Sequence, residues 1–248
     1  RRVRHDDGTA VPAAFALDDS TGYIRITHFL DDEVTDDLRT AMVSLEKEGM
    51  QRLILDLRQN GGGDPEAAAR IAGEFLPRGT VVYESVGRRP DMAQTVKVER
   101  SFLRPGGRTY PLVLLVDHGT ASAAELLAGA LQDHDRAVIV GRPTFGKALL
   151  MRGFPLADGS LVMLVVGHLR TPCGRVVQRQ YRGVTPREYF RMSRGDRETA
   201  GLPSCRTAGG RTVYGGDGIR PDVMLPPGSP QPVWAARLFE DDLPLRWV

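Results

Sequence analysis

Tyr110-Pro111-Leu112-Val113-Leu114-Leu115-Val116-Asp117 runs into His118-Gly119-Thr120-Ala121-Ser122 and then into a segment of small and apolar residues from Ala123 to Asp133. The first part is an unbroken apolar run of strand length, the second a short loop opened by a glycine, the third a helix. A buried strand that turns through a tight loop into a helix is the repeating unit of an α/β sheet. The same unit recurs outward in both directions. Upstream, Arg52 to Leu57 reads as a buried parallel strand. It is broken by Arg58-Gln59-Asn60-Gly61-Gly62-Gly63-Asp64, and Pro65 suits the first turn of a helix running through Phe75. Further upstream, Gly22 to Phe29 alternates apolar and polar residues as a half-buried strand does. Asp31 to Glu48 follows as a helix, with Val34, Leu38, Ala41, Met42 and Leu45 on one face and Gly49 to end it. Downstream come a strand at Ala137 to Gly141, a loop at Arg142 to Gly146, and strands through Met151 and from Leu161 to Val166. Thr80 to Thr109 carries a weaker pattern, read as a strand or hairpin with exposed basic residues.

Composition narrows the function classes. At 248 residues the chain can still enclose one α/β core. Its formal net charge of +2 comes from scattered, nearly balanced charges, which gives nucleic acid no basic footprint to bind. The longest apolar runs, Leu112 to Val116 and Leu161 to Val166, read as buried strands and fall short of the roughly 18 to 20 residues a membrane span requires. The start at Arg1, with no signal-peptide pattern, reads as a piece of a longer precursor. Cys173 and Cys205 allow at most one disulfide and have no metal-ligand spacing.

Ser122 stands where a buried strand meets a helix N-terminus. The free amides of a first helical turn face any negative charge that develops there, which is a nucleophile's position. An N-cap serine occupies the same position. A serine nucleophile needs a base. The five histidines, His5, His28, His118, His134 and His168, lie in no recognisable triad motif. Lysine occurs three times, at Lys47, Lys97 and Lys147, in a chain whose other basic residues are arginine, and arginine cannot release its proton. Lys47 and Lys97 fall in charged surface stretches. Lys147, between Pro143-Thr144-Phe145-Gly146 and Ala148-Leu149-Leu150, enters an apolar strand, where withdrawal from water favours an unprotonated amine. A strand-edge lysine reaching out to solvent fits the same residues. Asn60-Gly61-Gly62-Gly63 can build a nest of backbone amides or a plain tight turn. It has neither the ending of a phosphate-binding loop nor the spacing of a dinucleotide fingerprint.

Taken together, Leu55-Asp56-Leu57-Arg58-Gln59-Asn60-Gly61-Gly62-Gly63, Gly119-Thr120-Ala121-Ser122-Ala123-Ala124-Glu125 and Gly141-Arg142-Pro143-Thr144-Phe145-Gly146-Lys147 resemble the C-terminal processing (tail-specific) proteases, serine peptidases of the S41 type. Asp158-Gly159-Ser160, Thr171-Pro172-Cys173-Gly174-Arg175 and Gly215-Gly216-Asp217-Gly218-Ile219-Arg220-Pro221-Asp222 add to the likeness, which runs from about Gly22 to Leu225. The resemblance implies an α/β fold with a ClpP/crotonase-like core, helices packed on a mainly parallel sheet and smaller β elements. It divides the chain into a linker or N-terminal extension at 1–21, a peptidase core at 22–225 and a C-terminal extension at 226–248. It makes Ser122 the nucleophile and Lys147, twenty-five positions later, its base, with Gly62 or Gly63 and Ala123 as oxyanion-hole donors and Glu125 as a supporting acid. It implies a polypeptide substrate, unfolded or C-terminal, no cofactor or metal, and an extracytoplasmic setting, the bacterial periplasm. The oligomeric state stays open. Two departures stand out. Met151 occupies the place where many relatives carry a lysine-orienting glutamine, and the space before Gly22 is too short for the relatives' PDZ domain, which leaves room for one outside this chain. A non-catalytic peptide-binding relative is the alternative these departures raise, and a histidine base at His28 or His118 is another.

Overall fold

The computed structural model describes residues 9–30, 33–99, 107–192 and 198–226. The C-terminal extension expected at 226–248 falls almost wholly outside them. A six-stranded sheet forms the body: β1 (Ala13–Ala16), β2 (Thr21–Arg25), β3 (Arg52–Asp56), β6 (Leu112–Val116), β7 (Val138–Gly141) and β12 (Val223–Met224), in that spatial order. β1 pairs antiparallel with β2 and every other pairing is parallel, so the expected mixed α/β architecture with a mainly parallel sheet is present. β1 lies in the stretch read as a linker. Its four residues alternate too weakly to stand out, and pairing with β2 orders them. α1 (Val34–Lys47), α2 (Pro65–Ala72) and α3 (Ala123–Asp133) cover the sheet. Val34, Leu38, Met42 and Leu45 of α1 are buried, as their spacing requires. Asp64 caps α2 by accepting from the Glu66 and Ala67 amides at 2.9 and 3.0 Å, with Pro65 in the first turn. Every residue of α3 is buried, so this helix lies wholly inside the molecule.

A second sheet holds β5 (Gln94–Lys97), β4 (Val81–Gly87), β9 (Leu161–Arg170) and β8 (Leu149–Pro155) in that order, all antiparallel. β10 (Ser204–Arg206) and β11 (Thr212–Tyr214) pair separately, and α4 (Pro186–Met192) stands between the two regions of chain. The expectation that Leu161 to Val166 is buried is wrong. Leu161 is 60% exposed, and Val162, Met163, Leu164 and Val165 are exposed with it. Among the described residues this part of β9 pairs with β8 alone, and no helix covers either face. An apolar run records a tendency to be buried, not the presence of a covering element. Among the described residues no helix is long and apolar enough to cross a membrane, and no cluster of three or more His, Cys, Asp or Glu side chains is arranged to hold a metal ion.

Parallel order places the functional loops. β3, β6 and β7 are consecutive neighbours, so the loops that leave their carboxyl ends, 57–64, 117–122 and 142–148, emerge side by side at one edge. Gly141 ends β7 with φ 135°, and a Cβ there would lie 2.0 Å from the Val116 carbonyl oxygen, so only glycine lets these two strands run this close. Asp56, at the end of β3, is fully buried. It accepts from the Tyr23 hydroxyl at 2.6 Å and from the Arg58 amide and guanidinium. Burial alone would push its carboxyl up, but the Arg58 side chain and the Tyr23 hydroxyl hold it below the ordinary aspartate value. Because the folded pKa is the lower one, the stabilisation is present above the ordinary aspartate range and is lost as pH falls through the folded value. Asp56→Asn is expected to cost about 2 kcal/mol at neutral pH and less in acid, read from urea unfolding at several pH values.

Cys173 and Cys205 form a disulfide across 32 positions and tie the loop after β9 to β10. Closing a loop of that length stabilises a fold by about 3 to 4 kcal/mol on the chain-entropy account. Reduction, or Cys173→Ser, is therefore expected to lower the urea midpoint and, because the unfolded chain is freed to expand, to steepen the slope.

Candidate active site

Three side chains and their backbone neighbours stitch the loops together. Asn60 is buried; its Nδ2 donates to the Ile26 carbonyl at 3.0 Å, its Oδ1 accepts from the Gly62 amide at 2.9 Å, and its carbonyl accepts from the Ala121 amide at 2.9 Å. Thr120 donates its hydroxyl to the Leu57 carbonyl at 2.8 Å, while its own carbonyl accepts from the Phe145 amide at 2.9 Å. Glu125, on the first turn of α3, is the third. Its Oε2 accepts from the Ser122 amide at 2.9 Å and from the Lys147 amide at 2.8 Å, and its Oε1 from the Thr144 hydroxyl at 2.5 Å and the Gly146 amide at 2.7 Å. One carboxylate oxygen thus gathers the backbone of Ser122 and of Lys147. Burial pushes the Glu125 carboxyl above the ordinary glutamate value, against the Thr144 hydroxyl and three backbone amides that pull it down.

Ser122 has φ 56° and ψ −120°, a region that non-glycine residues avoid at a cost of about 1–3 kcal/mol. The buried strand before it and the buried helix after it hold this turn, and Ser122 is the N-cap of α3, with Glu125 completing a capping box. Gly62 packs directly against it: a Cβ on Gly62 would lie 2.8 Å from the Ser122 Cβ and 2.9 Å from the Ala123 nitrogen. Of the two glycines that the resemblance offers as an oxyanion donor, Gly62 and Gly63, the first has its N–H engaged by Asn60 Oδ1. The Gly63 and Ala123 amides donate no hydrogen bond among the described residues.

A cavity of about 660 Å³ opens beside this junction. Gln59, Gly61, His118, Gly119 and Ala121 from the loops after β3 and β6 line it, together with Phe145, Leu149, Tyr181, Tyr189, Phe190, Lys147 and Gln178. Lys147 is exposed, contrary to the expectation of an amine drawn into an apolar strand. Gly146 turns the chain with φ 85° and β8 starts only at Leu149, so Lys147 belongs to the loop at the cavity and not to the strand. Among the described residues no hydrogen bond joins its amine to the Ser122 hydroxyl; catalytic contacts are commonly long without substrate. His118 shares the cavity, and His28 does not line it. Met151 sits on the exposed face of β8, opposite Val165 and beyond a break in strand register.

Several participants were not singled out from the sequence. Gln178 accepts from the Ala148 amide at 2.8 Å and so fixes the backbone on the far side of Lys147. Its Nε2 donates to the Arg179 carbonyl and, at 3.1 Å, to the Tyr189 hydroxyl. Arg179 is 2% exposed, and among the described residues none of its guanidinium nitrogens has a hydrogen-bond partner. The group lies 4.9 Å from the Phe145 ring centre and 4.3 Å from that of Tyr189. Each such contact contributes up to about 2 kcal/mol when desolvated, which offsets part of the several kcal/mol that burying an unpaired ion costs. No periodicity or spacing marks these residues.

Comparison with known proteins places the chain among peptidases. The family model described as Peptidase family S41 matches residues 20–189. A carboxyl-terminal-processing protease of Synechocystis sp. is 42% identical over 168 residues, covering 65% of this chain and 37% of that protein. Chloroplastic carboxyl-terminal-processing peptidase 1 of Arabidopsis thaliana is 39% identical over 153 residues, covering 62% and 30%. The chain therefore spans roughly a third of the length of these curated relatives. The solved structure of a photosystem II D1 C-terminal processing protease superposes with a TM-score of 0.59 at 29% identity, over 83% of this chain and 42% of that one.

Proposed function

Because the chain belongs to peptidase family S41, we propose that it is a serine endopeptidase that hydrolyses polypeptides through Ser122 and Lys147. The observation that supports this most directly is the Glu125 oxygen shared by the Ser122 and Lys147 amides, which ties the backbones of two loops together beside a cavity lined by Lys147 and by Ala121, the neighbour of Ser122. Lys147, as general base, takes the Ser122 proton as Oγ attacks the scissile carbonyl. The oxyanion of the tetrahedral intermediate receives the N–H groups of Ala123, at the start of α3, and Gly63, where a donor of this kind is worth roughly 2.7 to 4 kcal/mol of barrier. The lysine ammonium then passes its proton to the departing amine, which leaves an acyl ester on Ser122. Water, deprotonated by the same amine, attacks the ester and releases the new carboxyl terminus. The fold that carries these steps is of the ClpP/crotonase type.

Substrates in this reading are unfolded polypeptides or C-terminal segments, which can enter an open cleft in extended form. Processing takes place outside the cytoplasm, in the bacterial periplasm. Capture of a substrate tail by a PDZ or adaptor segment belongs to sequence outside this chain. Incubation with unfolded casein is expected to yield fragments, and a fluorophosphonate probe to label Ser122 alone, as mapped by mass spectrometry. Cleavage that persists in Ser122→Ala, or a label elsewhere, would sink the proposal.

A further inference from the structure

The lining of the cavity is rich in aromatic side chains, and two of them, Tyr189 and Phe190, come from a segment outside the three sequence motifs. Phe145 stands two residues before Lys147. The rings of Tyr189 and Phe190, on α4, lie 5.6 and 5.8 Å from that of Phe145 and 6.0 Å from each other. Such a triangle of tilted and edge-on rings presents a continuous apolar face. Phe190 is nonetheless 61% exposed, and it lies just beyond the stretch that the family model matches.

The wall is also tethered to the reacting end of the cavity. The Tyr189 hydroxyl donates to the Gly146 carbonyl at 3.3 Å, and the Arg179 amide donates to the same carbonyl at 2.9 Å. Among the described residues the Arg179 guanidinium, buried, has no hydrogen-bond partner and lies over the faces of Phe145 and Tyr189. A planar cation stacked on two rings fixes their planes, which a flexible apolar side chain would not do. The Cys173–Cys205 disulfide closes the ends of the loop that carries this assembly. Such an arrangement spends polar groups and a buried charge on the shape of an apolar surface, in a cleft whose basic lining side chains are Lys147 and His118.

We infer that this wall is the specificity determinant of the cleft: Tyr189 and Phe190 receive a bulky apolar substrate side chain, of leucine or phenylalanine size, beside the scissile bond. Arg179 is a positioning residue that holds Phe145 and Tyr189 in place to receive it. The inference rests on the peptidase reading of the same cavity and adds the class of side chain it selects.

Matched peptides carrying Phe, Leu, Ala or Glu on either side of one bond provide the test. Wild-type protein is expected to favour Phe and Leu over Ala in kcat/KM by about tenfold or more at one of the two positions. Phe190→Ala should reduce that preference about tenfold, chiefly through KM on the Phe and Leu peptides. Arg179→Met should do the same, and Arg179→Lys should fall between Met and wild type. Fluorescence anisotropy of the same peptides on Ser122→Ala protein gives a readout independent of turnover, with the same loss of Phe preference expected when Phe190→Ala is added. If no Ser122-dependent cleavage occurs, the peptidase reading fails and these affinities still decide the wall. An unchanged Phe-to-Ala ratio in Phe190→Ala, by rate and by affinity, overturns the inference. An unchanged ratio in a folded Arg179→Met protein removes Arg179 from it. Should Arg179→Met not fold by circular dichroism, the exposed Phe190 position decides.

Discussion

Lys147→Ala protein is expected to cleave unfolded polypeptide about 10³-fold more slowly than wild type, while His118→Ala stays within about threefold. General-base assistance is worth 10²- to 10⁴-fold, and a serine hydroxyl without it is a poor nucleophile at neutral pH. Ser122→Ala, which removes the nucleophile itself, should cost about 10⁶-fold in kcat, and the double variant little more, because groups acting in one step are not additive. Lys147→Arg is the informative control. It keeps the positive charge and most of the reach but cannot surrender a proton, so it should be as inactive as Lys147→Ala. Rates on casein and on a short chromogenic ester separate the possibilities. A Lys147→Arg protein that retained activity, or a His118→Ala protein that lost it, would transfer the base role away from Lys147. His118 is the natural competitor because it lines the same cavity, whereas His28 does not.

The arrangement also explains how much of the site could be read in advance. Strand–loop–helix junctions at 52–65 and 110–123 carry their own signals: an apolar run, a glycine or asparagine break, then a proline, capping residue or small-residue helix. The helix expected at Ala123 to Asp133 has those bounds in the structure. Parallel sheet order then carries the loops after β3, β6 and β7 to a common edge, so motifs separated by sixty residues of sequence become neighbours without any local clue. Details that depend on competition between groups were not legible. Whether the Gly62 amide is available is decided by the Asn60 side chain, and the exposure of Lys147 by a turn at Gly146. The aromatic wall was invisible for a different reason. Tyr189 and Phe190 reach the cavity from a helix with no register to the sheet, and a pair of aromatics in sequence reads as core. Leu161 to Val165 shows the converse error, where an apolar run lies exposed on a ribbon that no element covers.

Glu125→Ala should be the most destabilising single change at the site, lowering the unfolding free energy by roughly 3–5 kcal/mol and abolishing detectable cleavage in whatever protein remains folded. The carboxylate is fully buried and accepts four hydrogen bonds, three of them from backbone amides that no rotation can redirect. Alanine strands all of them. Glu125→Gln distinguishes shape from charge, since the amide has the same volume but replaces one acceptor oxygen by an NH₂ donor. If the NH₂ faces Thr144, the hydroxyl can turn to accept but the Gly146 amide is left unpaired; if it faces the other way, the Ser122 and Lys147 amides both lose their acceptor. The first choice is the cheaper, so Gln should cost about 1–3 kcal/mol and retain part of the activity. The pH dependence gives an independent check. Burial raises the folded-state pKa of Glu125, so between the ordinary glutamate value and that raised value the native state binds more protons than the unfolded chain. Stability contributed by this group is therefore greatest at low pH and falls as pH rises through that window, a slope that Glu125→Gln should lack. Urea midpoints measured for both variants and for Lys147→Ala complete the argument. Loss of rate without loss of stability marks the residue that moves the proton, and joint loss of both marks the carboxylate that holds it opposite Ser122. A Glu125→Ala protein as stable and as active as wild type would show that the two loops are held together by something other than this side chain.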